Sequence, residues 1–235
     1  MNFPKDIILT NSVKSDAFDA LDDFNIHHYP MISIITKNIK PFNLSDYDYY
    51  IFTSQNSVEI FFDYPFVRVQ YEKKIKAICS GQKTEEKLRK LGVTISFSSN
   101  SSYAKDMINE LKELKFIENS KILVIVGSLS DTTKYDELKK YSQISTLEIY
   151  ETKKHTKFNH RLDKLLKKGN SISVFASPSS FEVFISIYNS FNTEIFSIGE
   201  TTSEYIKSQG FDVITSKKQT FESLVNEILN NNYQL

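Results

Sequence analysis

The stretch Phe52-Thr-Ser-Gln-Asn-Ser-Val-Glu-Ile-Phe-Phe62 decides the fold, because the chain repeats it as Phe175-Ala-Ser-Pro-Ser-Ser-Phe-Glu-Val-Phe-Ile185. In both copies an apolar run ends, Ser or Thr residues follow, and a helical pattern of apolar residues begins. A second pair of segments continues the repeat, since Gly81–Gly92 matches Gly199–Gly210. Similarity over two separate blocks predicts two copies of one α/β unit.

Short apolar runs alternate with amphipathic stretches along the whole chain, which favours parallel sheets covered by helices. The predicted strands are Asp6–Leu9, Ile32–Ile35, Tyr49–Phe52, Ile75–Ile78, Val93–Phe97, Lys121–Val126, Ser145–Tyr150, Ser171–Phe175, Glu194–Ile198 and Asp212–Thr215. The predicted helices are Ser15–Phe24, Asn56–Phe62, Thr84–Leu91, Tyr103–Leu114, Tyr135–Tyr141, Lys157–Lys168, Ser179–Tyr188, Thr202–Ser208 and Phe221–Leu229. Gly92 and Gly210 stand where a glycine ends a helix.

The two copies are not equally complete, and this predicts the domain organisation. The second copy has too few strands before the chain ends, whereas the N-terminal strand and helix belong to no copy. We therefore predict a discontinuous α/β domain over 1–31 and 155–235, and a second α/β domain over 39–146 inserted into it. The connections at 32–38 and 147–154 are β-rich, and we expect them to pair as a two-stranded β linker.

Composition excludes several classes of protein. The 235 residues carry 29 basic and 29 acidic side chains, so no basic excess indicates nucleic-acid binding. One cysteine, Cys79, and four scattered histidines give no disulfide framework and no metal-ligand spacing. No apolar run is long enough to span a membrane, and the N-terminus does not resemble a signal peptide. We expect a cytoplasmic protein without a metal or a nucleotide cofactor.

Ser, Thr and Gly residues recur where predicted strands end and helices begin. The motifs are Thr53-Ser54 and Ser177-Pro-Ser179 after two strands, and Gly81-Gln-Lys83-Thr84 and Gly199-Glu-Thr201-Thr202 before two helices. Ligands of open α/β sheets bind at the carboxyl ends of the strands, and helix N-termini attract anions. However, Ser and Thr are also ordinary helix caps, so capping alone explains each motif.

Tyr150 is the candidate for proton chemistry, because it lies in the predicted linker and a phenol donates a hydrogen bond while neutral. Packing of its ring against the linker is the alternative. The run Lys153-Lys154-His155 is either a solvated face or a guide for an anionic ligand. Gly127 follows an apolar strand as in a dinucleotide-binding loop, but the other glycines of that loop are missing.

Taken together, the segments of this chain resemble the uroporphyrinogen-III synthase family. They occur in the order and with the spacing of that family over most of the chain. The matching segments are Ile51–Glu59, Gly81–Gly92, Ile149–Thr152, Phe175–Ser180 and Ile198–Thr202 with Gly210. The resemblance implies two α/β domains, one of them discontinuous, joined by a two-stranded linker.

The resemblance also implies a reaction that needs no cofactor. The family cyclises the linear tetrapyrrole hydroxymethylbilane to uroporphyrinogen III, with inversion of ring D and loss of water. Because the bilane closes spontaneously to isomer I, the enzyme must mainly control conformation. We expect a monomer, and the instability of the bilane suggests transient contact with hydroxymethylbilane synthase.

By position, Tyr150 matches the family's linker tyrosine and would assist departure of the hydroxyl group. The residues that match the loops of the interdomain cleft would hold acetate and propionate carboxylates. They are Thr53, Ser54, Gly81, Thr84, Ser177, Ser179, Gly199, Thr201 and Thr202, and Lys83 would add a cation.

The sequence departs from the family at two loops. Thr10-Asn11-Ser12 stands where members commonly have an arginine, and Gly127-Ser-Leu-Ser-Asp131 lacks a basic residue. The residues leave two other classes open. One is a two-lobed protein that binds an anionic small molecule without chemistry; the other is an effector-binding regulator, which the missing phosphate loop disfavours.

Overall fold

The structure is a computed structural model that describes residues 6–70, 75–99, 101 and 104–233. Its strands are β1 (Asp6–Leu9), β2 (Asn25–His28), β3 (Ile32–Thr36), β4 (Tyr49–Phe52), β5 (Lys76–Ser80), β6 (Thr94–Ser99), β7 (Lys121–Gly127), β8 (Gln143–Lys154), β9 (Ser171–Phe175), β10 (Glu194–Ser197) and β11 (Ile214–Thr215). Its α-helices are α1 (Gln55–Asp63), α2 (Pro65–Gln70), α3 (Gln82–Lys90), α4 (Ala104–Leu114), α5 (His160–Lys167), α6 (Pro178–Ile187), α7 (Glu200–Ser208) and α8 (Phe221–Tyr233). Short 3-10 helices span Asp16–Ala20, Leu44–Asp46 and Thr133–Lys140.

The chain divides into two compact units. The inserted unit is Ile35–Thr152, and the discontinuous unit combines Met1–Ile34 with Lys153–Leu235. The boundaries predicted from the sequence, 39–146 for the inserted domain and 1–31 with 155–235 for the other, stay predictions.

The inserted unit is built on a six-stranded sheet in the order β3-β8-β7-β4-β5-β6. β4 lies between β7 and β5 and runs parallel to both. Tyr50, Ile51 and Phe52 of this central strand are fully buried. Helices cover both faces of a parallel sheet, which explains why β4 and β7 are almost continuous apolar runs. Their carboxyl ends meet at one side of the sheet, called here the carboxyl edge.

The discontinuous unit has a five-stranded sheet in the order β11-β10-β9-β1-β2, and all its neighbouring strands are parallel. β1 comes from the start of the chain and pairs with β9, so that Asp6 is opposite Ser171. Its alternate side chains enter two cores, with Ile8 on one face and Ile7 and Leu9 on the other. The N-terminal strand therefore completes the second sheet.

Two strands carry the chain from one unit to the other. β3 and β8 are neighbours in the six-stranded sheet, and backbone hydrogen bonds flank them. The Lys37 N–H donates to the Ile149 carbonyl at 2.9 Å, and the His155 N–H donates to the Met31 carbonyl at 2.9 Å. The predicted fold class is confirmed: two parallel-sheet α/β domains, one discontinuous, joined by a two-stranded β linker.

The local predictions succeeded where a specific residue fixes the backbone. Gly92 and Gly210 have φ angles of 72° and 86°, which other residues rarely adopt, and each directly follows a helix as predicted. The predicted helix over Tyr135–Tyr141 is instead a 3-10 helix over Thr133–Lys140. The sequence also missed α2, in which Pro65 occupies the first helical turn. The first residue of the predicted helix Tyr103–Leu114 lies outside the described residues.

The predicted helix over Ser15–Phe24 is wrong in extent. Only Asp16–Ala20 is helical, and the turn ends at Leu21, whose φ and ψ of −101° and 65° are not helical. The chain then extends into β2, where the sequence indicates only a loop or a short strand. Pairing with β1 supplies the partners of the β2 backbone, and such a distant contact leaves no local signal.

Candidate functional site

The carboxyl edge of the inserted unit begins at the end of β4. Ser54 has extended backbone angles (φ −154°, ψ 152°), and its hydroxyl accepts a hydrogen bond from the Ser57 N–H at 3.1 Å. The Ser57 hydroxyl donates in return to the Ser54 carbonyl at 2.7 Å. This reciprocal cap starts α1 at the sheet edge, so the capping interpretation of this motif is confirmed.

Tyr150 lies at the same edge, on β8. Its hydroxyl oxygen is 3.4 Å from the hydroxyl oxygen of Ser54, and only 9% of the residue is exposed. The phenol is therefore beside the start of α1, within reach of a group bound there. The structure brings together two residues that are 96 positions apart in the sequence.

Gly127 makes the position of Tyr150 possible. The two residues are partners in the β7–β8 pairing, and the Tyr150 ring lies directly over the glycine. A Cβ atom on Gly127 would be only 2.2 Å from Cε2 of Tyr150. The sequence pattern around Gly127 indicates an incomplete dinucleotide loop and gives no sign of this role. The next residue also binds β8, since the Ser128 N–H donates to the Tyr150 carbonyl at 3.0 Å.

Thr53 lies next to a second phenol. Burial raises the pKa of Tyr135 to about 12, and the nearby Thr53 side chain opposes that shift, although the Tyr135 hydroxyl has no hydrogen-bond partner among the described residues. Tyr135 therefore stays protonated at neutral pH. Tyr135 is buried in the core of the inserted unit, whereas Thr53 is partly exposed.

Gly81 and Thr84 begin α3 at the end of β5. Gly81 has a φ angle of 79°, which favours glycine, and no side chain caps this helix. The first N–H groups of a helix have no partner within the helix, so this end attracts an anion. Thr84 is buried, whereas Lys83 is partly exposed.

The carboxyl edge of the discontinuous unit repeats this construction. Ser177 has φ −157° and ψ 152°, and its hydroxyl accepts from the Ser180 N–H at 3.3 Å. The Ser180 hydroxyl donates to the Ser177 carbonyl at 2.8 Å. Ser179 is part of the same cluster, with its hydroxyl oxygen 3.1 Å from that of Ser177.

Gly199 begins α7 after β10, again without a side-chain cap. Its backbone is extended, and a Cβ atom there would meet the Gln219 side chain at 2.4 Å. Thr202 is buried and Thr201 is exposed. The two threonines therefore differ: Thr201 offers a hydroxyl to a ligand, and Thr202 offers mainly its backbone.

The loop after β1, which lacks the expected arginine, is occupied by internal contacts. The Thr10 hydroxyl donates to the Val174 carbonyl at 2.6 Å, and the Asn11 carbonyl contacts the His28 ring at 2.8 Å. Both Thr10 and Asn11 are buried. This loop therefore closes the end of β1 rather than presenting a cation.

The described residues include no group of three His, Cys, Asp or Glu side chains that would hold a metal ion. Cys79 is buried, and burial raises the pKa of its thiol, so it is a poor nucleophile. Among the described helices, none combines the length and the apolar character that a membrane span requires.

Comparison with known proteins gives consistent matches. The family model of uroporphyrinogen-III synthase HemD matches residues 15–226. A curated relative, the porphyrin biosynthesis protein HemD of Ruminiclostridium josui, is 24% identical over 217 residues. That match covers 86% of this chain but only 42% of the relative, so the chain spans less than half of that protein's length.

Two solved structures share the fold. Uroporphyrinogen-III synthetase from Helicobacter pylori superposes with a TM-score of 0.67 at 19% identity, covering 97% of this chain and 99% of that one. A mutant uroporphyrinogen III synthase from Thermus thermophilus gives 0.68 at 12% identity, covering 96% and 99%.

Proposed function

The chain belongs to the uroporphyrinogen-III synthase family, and we propose that it cyclises hydroxymethylbilane to uroporphyrinogen III with inversion of ring D. The reaction releases water and needs no cofactor. The observation that carries the proposal is the Tyr150 phenol, fixed over Gly127 at the carboxyl edge and 3.4 Å from the Ser54 hydroxyl. A general acid has to be held within reach of the group that it protonates, and this position meets that requirement.

Tyr150 acts in the first step as a proton donor. The bond between the hydroxymethyl carbon and its oxygen breaks, and the leaving hydroxide takes a proton to depart as water. This leaves an azafulvenium cation and the Tyr150 phenolate. The ring D carbon that already carries a substituent attacks the cation, and the resulting spiro intermediate returns its ring D N–H proton to the phenolate. A well-placed general acid typically contributes about 10²–10⁴-fold to the rate. A neutral phenol supplies the proton without placing a permanent charge beside the substrate.

The two carboxyl edges hold the substrate's acetate and propionate groups. The proposed contacts come from helix-start N–H groups and from partly exposed side chains. In the inserted unit these residues are Thr53, Ser54, Gly81, Lys83 and Thr84. In the discontinuous unit they are Ser177, Ser179, Gly199, Thr201 and Thr202. Thr84 and Thr202 are buried, and the Thr84 N–H already donates to the Gly81 carbonyl at 3.1 Å, so Gly81, Lys83, Gly199 and Thr201 carry most of the proposed contacts at these two helix starts.

Holding the substrate in one conformation is the larger part of the proposed catalysis. Spontaneous closure already forms the ring, but it gives isomer I. The protein therefore has to favour attack by one carbon of ring D over another, which is an effect of orientation. We further propose that it works as a cytoplasmic monomer that meets hydroxymethylbilane synthase only transiently, because the free bilane is short-lived.

A coupled assay tests the proposal. Hydroxymethylbilane is generated in situ by its synthase, this protein is added, and the products are oxidised and separated as porphyrin isomers. We expect mainly isomer III. Isomer I alone, from protein whose thermal unfolding shows that it is folded, would overturn the proposed activity.

A further inference from the structure

Lys134 is a half-buried cation near the proposed site that no sequence motif identified. It is the second residue of the 3-10 helix Thr133–Lys140, which follows β7 at the carboxyl edge of the inserted unit. Its amine lies over the ring of Tyr135, 5.4 Å from the ring centroid. Because β7 pairs with β4 and this helix follows β7, the segment lies at the same edge of the sheet as the end of β4.

Apart from the Tyr135 ring, the Lys134 amine has no close partner on the described part of the chain. Lys87 and Lys112, which are also partly buried, form ion pairs with Glu59 and Glu137. None of the ion pairs made by the described residues includes Lys134. Burial lowers the pKa of its amine, and the charge of Asp131 only partly opposes this shift. A partly desolvated cation of this kind is stabilised when an anion binds to it.

The charge of Asp131 acts on the Lys134 amine, but the two side chains form no ion pair, and one Asp131 carboxylate oxygen is engaged within the turn. One oxygen accepts from the Thr133 N–H at 3.0 Å and from the Thr133 hydroxyl at 2.6 Å. These bonds lower the pKa of the Asp131 carboxyl, and the bond from the Thr133 hydroxyl has the largest effect. The carboxylate thus organises the turn before the 3-10 helix and leaves the lysine available.

An exposed apolar side chain stands in the same turn. The Ser130 N–H donates to the Gly127 carbonyl at 3.0 Å, and the Thr152 N–H donates to the Ser128 hydroxyl at 3.0 Å, which ties the turn to β8. At its tip Leu129 is 56% exposed. The segment therefore presents an apolar group and a cation within a few residues, which suits a ligand with apolar rings and carboxylate arms.

We propose that Lys134 binds a side-chain carboxylate of the tetrapyrrole and thereby positions it at the carboxyl edge beside Tyr150. This inference rests on the proposed function, because it takes the substrate class from it. It supplies a cation that the loop Gly127–Asp131 lacks in its own sequence. The contact is a charge-assisted hydrogen bond, which is stronger than one between neutral groups.

The test compares Lys134→Met and Lys134→Arg with wild type and with Lys140→Met, an exposed control on the same 3-10 helix. We expect Lys134→Met to raise the KM for hydroxymethylbilane about tenfold, with kcat within about twofold of wild type. Lys134→Arg keeps the charge and should stay within about threefold of the wild-type KM. Lys140→Met should match wild type. An unchanged KM in Lys134→Met would overturn the proposal.

Equilibrium binding of uroporphyrin, a tetrapyrrole polycarboxylate, separates this proposal from the proposed activity. If wild type makes no isomer III but binds uroporphyrin about tenfold more tightly than Lys134→Met, the carboxylate site stands and the activity does not. Equal binding by wild type and Lys134→Met would overturn the site even in an active enzyme. Thermal unfolding of each variant verifies its fold, and Lys134→Gln, which also removes the charge, provides the test if the methionine variant does not fold.

Discussion

Ser54 of the inserted unit and Ser177 of the discontinuous unit occupy the same place in their units. Their φ and ψ angles agree within a few degrees, and each hydroxyl accepts from the N–H three residues ahead. The difference lies beside the caps. Ser54 has the Tyr150 phenol 3.4 Å away, whereas the described neighbours of Ser177 are the serines of its own cap.

This difference separates two tasks. The repeated part of each unit builds a helix start that suits a carboxylate, and both units have it. The phenol comes from β8, a strand that leads from one unit to the other and belongs to neither repeated block. We infer that both carboxyl edges hold substrate, and that the proton chemistry belongs to the inserted unit. The following predictions test this separation.

Tyr150→Phe should have the largest effect. It removes the proton donor and keeps the ring over Gly127, so we expect kcat to fall about 100-fold with little change in thermal stability. Steady-state assay of isomer III and thermal unfolding measure the two quantities. Tyr141→Phe, at an exposed tyrosine of the same unit, is the matched control and should have full activity. An unchanged kcat in Tyr150→Phe would remove the acid role.

Gly127→Ala should act through Tyr150. The new methyl group would overlap the Tyr150 ring, so the ring must move and the phenol loses its position. We expect kcat to fall about tenfold or more in the wild-type background, and much less when Tyr150→Phe is already present. A double-mutant cycle measures this coupling. Fully additive losses would mean that Gly127 matters for another reason.

Ser54→Ala and Ser177→Ala compare the two edges directly. Each removes the same helix cap, so each should reduce the free energy of unfolding by about 1 kcal/mol. Only Ser54→Ala also removes the neighbour of the Tyr150 hydroxyl, and it should lower kcat severalfold more than Ser177→Ala. Equal kcat values in the two variants would show that Ser54 does not assist the phenol.

Gly81→Ala and Gly199→Ala compare the two uncapped helix starts. Gly81 has φ and ψ angles of 79° and 133°, in a region almost restricted to glycine, and an L-residue there costs about 1–3 kcal/mol. Gly199 is extended, and the clashing Gln219 side chain is exposed and able to turn away. We therefore expect Gly81→Ala to lower the melting temperature clearly more than Gly199→Ala. The reverse order would contradict the role of the φ angle.

Asp6 begins β1, at the end of the strand away from the carboxyl edge of the discontinuous unit. We expect it to have a smaller effect, on thermal stability, that depends on pH. Burial would raise the pKa of the Asp6 carboxyl, but hydrogen bonding to His27 and the charge of Lys168 together lower it below its ordinary value of 3.8. The carboxylate therefore stabilises the fold above that pH, and its contribution is lost as the pH falls through the lowered pKa.

Asp6→Asn measures this contribution. Wild type should melt at a higher temperature than Asp6→Asn at pH 7, and the difference should shrink as the pH falls below 3.8. Asp19→Asn, at an exposed carboxylate paired with Lys14, should show almost no difference at either pH. A constant gap between wild type and Asp6→Asn across the range would argue against the ionised carboxylate.

The sequence allowed most of the fold to be predicted, because its signals are local or repeated. Gly92 and Gly210 mark helix ends through their positive φ angles, and the caps at Ser54 and Ser177 follow from residue type. β2 and the short helix after Ser15 were harder, since their backbone is fixed by pairing with β1 and by a turn at Leu21.

The candidate site was only partly predictable for a related reason. Residue type and spacing indicated Tyr150 and the helix starts, but they did not indicate which side chains are buried. Thr84 and Thr202 face the interior of their units, and Thr201 faces solvent. Nor did the sequence show that Gly127 accommodates the Tyr150 ring, because that contact joins residues from adjacent strands.

The sequence by itself determined the two related α/β units, the family and the helix starts, since these depend on periodicity, repetition and residue type along the chain. Only the tertiary structure decided that Tyr150 lies beside Ser54, that Gly127 leaves space for its ring and that Lys134 is a half-buried cation without an ion pair to any described residue. The physical reason is that burial and side-chain contact depend on which strands become neighbours. Parallel strands bring together residues that are far apart in sequence, and a local sequence pattern does not predict those contacts.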